Sequence, residues 1–229
     1  MQNQLNVLTV IFKNEIYREE VPLFRGAIIN LVKDSPSVLF HNHIDNKLRY
    51  KYPLIQYKRI RQKAAIVCVG EGTEDIGELF NNFCSPIQIG KRQMELEVEQ
   101  VKASRPIVQL WDHLFDYYIR NWLPLNSENY QKFEQMDGLV ERTQFLENIL
   151  TANMLSFCKG VGIRLENEVS CKILQIEEQQ RTSYKGVRLL SIGGTFRTNL
   201  SIPDYVGIGK GVSLGHGMVV RKHENKENE

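Results

Sequence analysis

Hydrophobic and polar positions in the first hundred residues follow two periods, and each period predicts a different element. Short apolar runs and strict alternation predict strands over residues 5–12, 37–43, 52–60, 64–69 and 94–99. Apolar residues at helical spacing predict one helix that opens at Pro22 and stops at 34–36, and a second helix capped by Thr73. This order is that of the ferredoxin-like fold, in which two helices cover one face of an antiparallel sheet. The other face is expected to stay free, and it is where such domains often stack RNA bases.

The second half of the chain predicts a similar unit that lacks a regular second helix. A linker at 103–106 is followed by a strand around 111–119, a long helix over about 127–159 with a break near Gly138, a hairpin of two strands over 169–180 and 185–200, and a last strand at 218–220. We therefore predict an α+β fold of two tandem ferredoxin-like domains, although no repeat is visible in the sequence. The domains occupy 1–103 and 104–222, and the polar segment 223–229 is expected to be a disordered tail.

Composition places the chain among ordinary folded proteins. It has 229 residues, of which 42% are hydrophobic and 24% are charged, and this excludes a disordered, collagenous or low-complexity chain. No apolar run approaches the roughly 20 residues that cross a bilayer, so we expect no membrane partner. The amino terminus lacks a secretory signal, which favours a cytoplasmic location. The four cysteines lie far apart without a C-x-x-C pair, which indicates buried reduced thiols rather than disulfides or a zinc cage.

The formal net charge of +2 hides an uneven distribution of charge. Residues 47–63, here named the basic stripe, carry seven basic side chains and no acidic one, which leaves 22 basic against 27 acidic residues elsewhere. Tyrosines alternate with the cations, and this mixture suits single-stranded RNA, because cations neutralise phosphates and aromatic rings stack on bases. The predicted RNA contacts in the stripe are Arg49, Lys51, Tyr52, Tyr57, Lys58, Arg59 and Arg61. A solvated strand face has the same appearance, and the sequence leaves the two interpretations open.

The motif HNH at 41–43 ends a predicted strand just before the basic stripe. Strand periodicity would place its two imidazoles on one face, about 7 Å apart. Two imidazoles beside a cationic patch suit RNA cleavage by the 2′-hydroxyl, because one ring accepts the proton of that hydroxyl while another group protonates the departing 5′-oxygen. Lys47, Arg49 or Tyr50 could stabilise the charge that develops on phosphorus.

Two other interpretations of these histidines stay open. Each could have a purely structural role, which is the more common role of any single histidine. The H-x-H spacing is also common among zinc ligands. A catalytic zinc would need a third protein ligand, and no spacing selects one from His113, His216 and Asp45, although Asp45 could instead orient an imidazole.

Residues 207–217, here named the glycine-rich loop, have the sequence GIGKGVSLGHG. Glycines allow a backbone to approach a phosphate and to point N–H groups at it. A dinucleotide-binding fingerprint would require a following helix, whereas here a strand follows. The predicted RNA contacts of the loop are Gly207, Gly209, Lys210, Gly211, Ser213, Gly215, His216 and Gly217. A flexible turn between strands is the alternative.

Four segments carry a resemblance to a known family: LFHNH at 39–43, RYKYPLIQYK at 49–58, the helix around RTQFLENILTANMLSFCKGVGI, and the terminal GIGKGVSLGHG. They resemble the CRISPR-associated endoribonuclease that processes repeat RNA, the sixth protein of the Cas series and a member of the RAMP superfamily. The resemblance spans nearly the whole chain and is closest to the b-type branch. That family often has an aromatic residue between the last two glycines, where this chain has His216.

The resemblance implies a metal-independent cut in the CRISPR repeat transcript, which leaves a 2′,3′-cyclic phosphate and a 5′-hydroxyl. By matching motif it assigns the acid and base, in either order, to His41 and His43, with Tyr50 or Lys47 as helpers. It implies CRISPR repeat RNA as the partner, and neither a cofactor nor a metal. The alternative is a non-catalytic RRM-like RNA-binding subunit of a CRISPR effector complex. Whether two copies form a homodimer, and whether effector subunits bind, stays open.

Overall fold

The computed structural model of this chain describes residues 3–32, 43–44, 47–48, 52–81 and 85–223. The chain divides into two compact units. The first unit comprises Met1–Pro106 together with Val212–Gly215, and the second comprises Ile107–Gly211 with His216–Glu229. None of the helices within these described ranges is long and apolar enough to cross a membrane.

Within its described residues, the first unit has a four-stranded antiparallel sheet and two α-helices. Its strands are β1 (Val7–Glu15), β2 (His43–Ile44), β3 (Lys47–Leu48), β4 (Ile55–Ile60), β5 (Lys63–Val69), β6 (Ile87–Ile89), β7 (Arg92–Met94) and β8 (Val98–Ser104), and its helices are α1 (Val21–Leu31) and α2 (Gly72–Asn81). The sheet has the order β4-β5-β1-β8, while β2–β3 and β6–β7 form separate two-stranded hairpins.

The core of the first unit lies between this sheet and its helices. Phe24 of α1 packs edge-on against Phe12 of β1 and Tyr57 of β4, with ring centroids 5.9 Å apart in each pair. Pro22 lies in the first turn of α1, where the missing N–H leaves no helical hydrogen bond unmade. The apolar periodicity of the sequence therefore becomes this core, as expected.

The opposite face of the sheet is buried along β4 and β5, whereas the edge strand β8 is exposed, which corrects the expectation of a fully open stacking face in this unit. Gln56 and Lys58 of β4 and Val67 and Val69 of β5 have 0% exposure. The cause is visible in β5, where almost every residue is apolar, because a strand buried on both faces loses the alternation of a half-exposed one.

The second unit has a four-stranded antiparallel sheet in the order β10-β11-β9-β12. Its elements are β9 (Leu110–Trp122), α3 (Ser127–Glu134), α4 (Leu139–Gly160), β10 (Cys171–Tyr184), β11 (Val187–Leu200) and β12 (Met218–Arg221). The predicted helix is interrupted at Gly138, as expected, and the Asn126 side chain caps α3 by accepting from Asn129 N–H at 2.7 Å. The predicted hairpin is β10 with β11.

The strand predicted at 94–99 is wrong in its bounds. Strand β7 ends at Met94 and β8 begins at Val98, because Asn14 takes the place of a ladder partner in between. Its amide Nδ2 donates to Glu95 O at 2.8 Å, and its Oδ1 accepts from Glu97 N–H at 3.0 Å. Strand β8 also runs through Ser104, which pairs with Val7. The linker therefore begins after Ser104, later than the predicted start at 103. Most of the predicted strand 37–43 and residues 224–229 lie outside the described residues.

Candidate nucleic-acid interface

The glycine-rich loop returns on itself at the start of β12. Gly207 forms an antiparallel bridge with Met218, and Ile208 N–H donates to Gly217 O at 2.9 Å. The 3-10 turn Val212–Leu214 lies in the middle of the loop, belongs to the first unit and packs against β4. The residues on either side of Val212–Gly215 belong to the second unit.

Three positions of the loop have no room for a side chain. At Gly209 the backbone φ is +89°, and an added Cβ would lie 2.5 Å from Asn153 Oδ1. At Gly217 the backbone φ is +63°, and an added Cβ would lie 1.9 Å from Ile208 O. At Gly211 the φ is +74°, and an added Cβ would lie 2.8 Å from both Tyr184 Cε2 and His216 Cδ2. These contacts explain why the sequence has glycine there, since only glycine combines a left-handed conformation with so close an approach.

Beside Gly211, four side chains form a group that we name the Tyr184 cluster: Tyr184, Lys185, Lys210 and His216. The His216 imidazole meets the Tyr184 ring edge-on, with ring centroids 5.6 Å apart. Its Nδ1 lies 3.2 Å from Asn121 O. Because a backbone carbonyl can only accept, this contact holds the proton of a neutral ring on Nδ1 and the lone pair on Nε2.

The two lysines of the cluster make its surface positive. The Nζ atoms of Lys210 and Lys185 lie 5.3 Å and 5.9 Å from the centroid of the Tyr184 ring, within the range of a cation–π contact. Both lysines are exposed, and within the described part of the chain neither forms an ion pair. Neighbouring phosphodiesters of an RNA strand could therefore neutralise the two lysines without displacing a carboxylate.

Lys58 of the basic stripe is a buried lysine of β4. Its exposure is 0%, and its Nζ donates to Val212 O, in the middle of the glycine-rich loop, at 3.1 Å. Burial lowers the pKa of Lys58 to about 7, because a charged ammonium is poorly solvated inside a protein. The side chain thus fastens the 3-10 turn of the loop to the sheet of the first unit.

Tyr57 and Lys58 are predicted RNA contacts of the basic stripe that the structure places in the interior. Gly207 and Gly217, predicted RNA contacts of the glycine-rich loop, are buried as well. Tyr57 is 1% exposed within the core of the first unit, and burial raises the pKa of its hydroxyl. A surface contact with RNA does not fit either side chain. The cause is that the stripe runs along β4, where both faces of the sheet are covered.

The other described residues of the stripe lie nearer the surface. Tyr52 is half-buried and its hydroxyl accepts from Gln56 Nε2 at 2.8 Å. Arg59 donates from Nε to Ile16 O at 2.6 Å. Arg61 is exposed in the turn that joins β4 to β5, whereas Lys63 is paired with Glu99. The stripe is therefore not one continuous cationic face.

Two of the four predicted catalytic residues, His41 and Tyr50, lie outside the described residues. The predicted RNA contacts Arg49 and Lys51 also lie outside them. His43 and Lys47 lie in the hairpin of β2 and β3, where His43 pairs with Leu48 and Ile44 pairs with Lys47. The backbone of the second histidine is thus on a strand adjacent to that of the lysine.

Tyr184 and Lys185 were not among the predicted site residues. They occupy the turn of the β10–β11 hairpin, about 25 residues before the loop that they contact, so no local motif joins them to it. The signal that was available is the sequence Tyr-Lys-Gly at a hairpin tip between long polar strands. Among the described residues, no group of three or more His, Cys, Asp or Glu side chains could hold a metal ion.

Two sheet-based units with few helices, the second unit with a glycine-rich loop before its last strand, define an α+β protein of tandem ferredoxin-like domains. The chain belongs to the Cas6b family. Residues 3–106 match the Cas6b N-terminal domain, and residues 109–222 match the Cas6b C-terminal domain. The resemblance seen in the sequence is thereby confirmed.

Two solved structures and one sequence relative are similar to this chain. A crystal structure of Cas6b is 27% identical, with a TM-score of 0.87, over 96% of this chain and 100% of that one. A second structure, of a CRISPR RNA processing endoribonuclease Cas6b, is 24% identical over the same shares and has a TM-score of 0.74, which shows a shared fold. An uncharacterized protein of Methanocaldococcus jannaschii is 35% identical over 107 residues, which are 47% of this chain and 71% of that protein.

Proposed function

We propose that this chain is an endoribonuclease that cuts the CRISPR repeat transcript without a metal ion. The observation that carries the proposal is the match to both Cas6b domains, which together cover nearly the whole chain. In support, one structure that shares the fold is named a CRISPR RNA processing endoribonuclease. Family membership also supports repeat RNA as the substrate.

The proposed reaction is an attack of the ribose on its own phosphodiester. The 2′-oxygen forms a bond to phosphorus while the bond from phosphorus to the 5′-oxygen breaks. A base takes the proton of the 2′-hydroxyl, and an acid gives a proton to the departing 5′-oxygen. The products are a 2′,3′-cyclic phosphate and a 5′-hydroxyl, so no water or metal enters the balance of this step.

His41 and His43 are the proposed acid and base, with Tyr50 or Lys47 as helpers. An imidazole suits both roles because its unperturbed pKa lies near neutral pH. The hairpin of β2 and β3 supports Lys47 as a helper, since the backbones of His43 and Lys47 lie on its two paired strands. A lysine near the phosphorus would stabilise the charge of the transition state.

The glycine-rich loop and the Tyr184 cluster are proposed to hold the RNA backbone. Loop glycines give amide groups close access to a phosphate, and Lys210 and Lys185 provide exposed charge beside them. The interaction of such a surface with RNA is electrostatic, so it is expected to set affinity rather than the rate of the chemical step.

Single-turnover cleavage of a CRISPR repeat RNA tests the proposal. We expect His41→Ala and His43→Ala each to slow cleavage by roughly 10²- to 10⁴-fold, the contribution of a positioned acid or base, while RNA affinity barely changes. Arg164→Ala is the control, because Arg164 is an exposed residue of the second unit that has no proposed part in cleavage or in RNA binding. Activity should persist in EDTA.

Two results would contradict the proposal. If the wild-type protein binds repeat RNA but leaves it intact, the result would support the alternative function, a non-catalytic RNA-binding subunit of a CRISPR effector complex. Loss of cleavage in EDTA, with recovery on adding a divalent cation, would show a metal-dependent reaction instead.

A further inference from the structure

Three aromatic side chains stand in a row on the first half of β9, away from the glycine-rich loop in the sequence. The ring centroids of Trp111 and His113 are 5.4 Å apart, and those of His113 and Phe115 are 4.4 Å apart. Trp111 is half-buried, and its Nε1 donates to Ser201 Oγ at 2.9 Å. His113 is exposed. These contacts fix the row and leave part of its aromatic surface accessible to solvent.

Arg221, at the end of β12, extends this row with a planar cation. Its guanidinium carbon lies 4.3 Å from the centroid of the Phe115 ring, the closest cation–π approach of the described residues. The backbone is held in place, because Arg221 pairs with Tyr117 and its N–H donates to Asp204 Oδ1 at 2.7 Å. Arg221 is nevertheless exposed, so its guanidinium group is accessible to solvent while it rests against the Phe115 ring.

An open cavity of about 590 Å³ lies beside this stack, within the second unit. That volume is in the range of sites that take small ligands. Cations dominate its lining, which includes Arg197, Arg221 and Lys222 with His223. Its one carboxylate, Asp116, accepts two hydrogen bonds from Arg197, at 2.6 Å and 2.8 Å, which lower the pKa of that carboxyl. The charges of Asp116 and Arg197 thus cancel, and the remaining cations, Arg221 and Lys222, leave the cavity with a net positive charge.

The cavity combines a planar cation, an aromatic row and unpaired positive charge, and these features together indicate which class of ligand it binds. An acidic protein segment would use the charges but not the stacked planes. Bases of single-stranded RNA stack on aromatic rings and on guanidinium planes, while lysines and arginines neutralise the adjoining phosphates. The geometry thus favours RNA over an acidic protein.

We propose that this cavity binds one nucleotide of a single-stranded segment of the RNA substrate. The base stacks on Arg221 and reaches His113, and the phosphate lies against Lys222. The site rests on the proposed function for the identity of the RNA, and it uses none of the residues proposed for cleavage. It would hold the strand that flanks the cut.

Binding of a repeat RNA with a 2′-deoxy sugar at the cut, which cannot be cleaved, tests the site. We expect Arg221→Ala to weaken binding roughly tenfold, since stacking of one base and one charge are lost together. Arg221→Lys keeps the charge and removes the plane, so it should weaken binding while leaving the salt dependence unchanged. Arg164→Ala is the matched control, because Arg164 is an exposed arginine of the same unit outside this cavity, and it should bind within about twofold of wild type.

Photocrosslinking gives a second measurement that does not depend on folding of a variant. Repeat RNA that carries iodouridine at successive positions should crosslink wild-type protein at Trp111, His113 or Phe115, from one side of the cut only. Absence of crosslinks to these residues, or an Arg221→Ala protein that binds RNA as tightly as wild type, overturns the site. Cleavage assays on the same preparations separate this failure from that of the proposed function, since an active enzyme without the crosslinks contradicts only the site.

Discussion

Gly217 illustrates how single residues fix the glycine-rich loop. A Cβ at this position would lie 1.9 Å from Ile208 O, and the neighbour is backbone, which cannot rotate away. Lys58 fixes the same loop from another direction through its hydrogen bond to Val212 O. Both features predict measurable effects on stability.

Gly217→Ala is expected to destabilise the protein by about 2 kcal/mol or more, because the steric overlap adds to the cost of a positive φ. Gly162→Ala is the matched control: it also has a positive φ, +78°, but nothing lies within 4 Å of an added Cβ. That variant should lose only about 1 kcal/mol. Urea denaturation measures both, and equal losses would show that the overlap at Gly217 relaxes freely.

Lys58 predicts a pH dependence of stability with a definite sign. The unfolded chain holds this proton to a pKa near 10.4, whereas the pKa in the folded protein is about 7. Between these values the unfolded state binds more protons, so stability from this group rises with pH. Relative to Lys58→Met, which does not titrate, the wild-type free energy of unfolding should increase by a few kcal/mol from pH 7 to pH 10.

The comparison of the two proteins cancels groups that they share, such as the buried thiols of Cys158 and Cys171, whose pKa values burial raises to about 12. If the difference in the free energy of unfolding between wild type and Lys58→Met stays constant over this pH range, Lys58 keeps its proton in the folded protein. Its surroundings would then be polar enough to solvate the ammonium group.

At the scale of elements, the tip of the β10–β11 hairpin and the glycine-rich loop form one positive surface. Lys185 comes from the hairpin and Lys210 from the loop, yet both approach the ring of Tyr184. Neither element could form this surface alone, because each provides only one of the two cations.

Neutralising these lysines should therefore change the salt dependence of RNA binding. For Lys185→Ala and Lys210→Ala we expect the slope of log affinity against log salt to fall in magnitude by roughly 0.7 each, and by the sum in the double variant. Lys132→Ala is the control, since Lys132 is exposed on α3 and paired with Glu128 at 2.7 Å. Slopes equal to wild type in both single variants would remove the cluster from the interface.

Elements with long periodic patterns were predictable, and short ones were not. Helices α1 and α2, the interruption at Gly138 and the β10–β11 hairpin follow from apolar spacing. The hairpin of β6 and β7 was missed, because strands of three residues are too short to display a period. Lys58 was misplaced for a related reason: alternation shows which residues share a face, but not whether another part of the chain covers that face.

At the scale of the whole molecule, the family and the tandem fold could be predicted, whereas the surface that would meet RNA could not. The four resembling segments extend over both units, and the domain matches cover the same span. The Tyr184 cluster, and the contact of Arg221 with the row on β9, depend on residues that the fold brings together from distant positions. No sequence spacing encodes such contacts, so they emerge only from the tertiary structure.

The end groups of the products test the central claim most directly. Repeat RNA incubated with wild-type protein in EDTA should give a fragment that ends in a 2′,3′-cyclic phosphate and a fragment that begins with a 5′-hydroxyl. A single 2′-deoxy substitution at the cut should abolish the reaction, because it removes the nucleophile. Fragments with a 5′-phosphate, or cleavage of the 2′-deoxy substrate, would contradict attack by the ribose and with it the proposed mechanism.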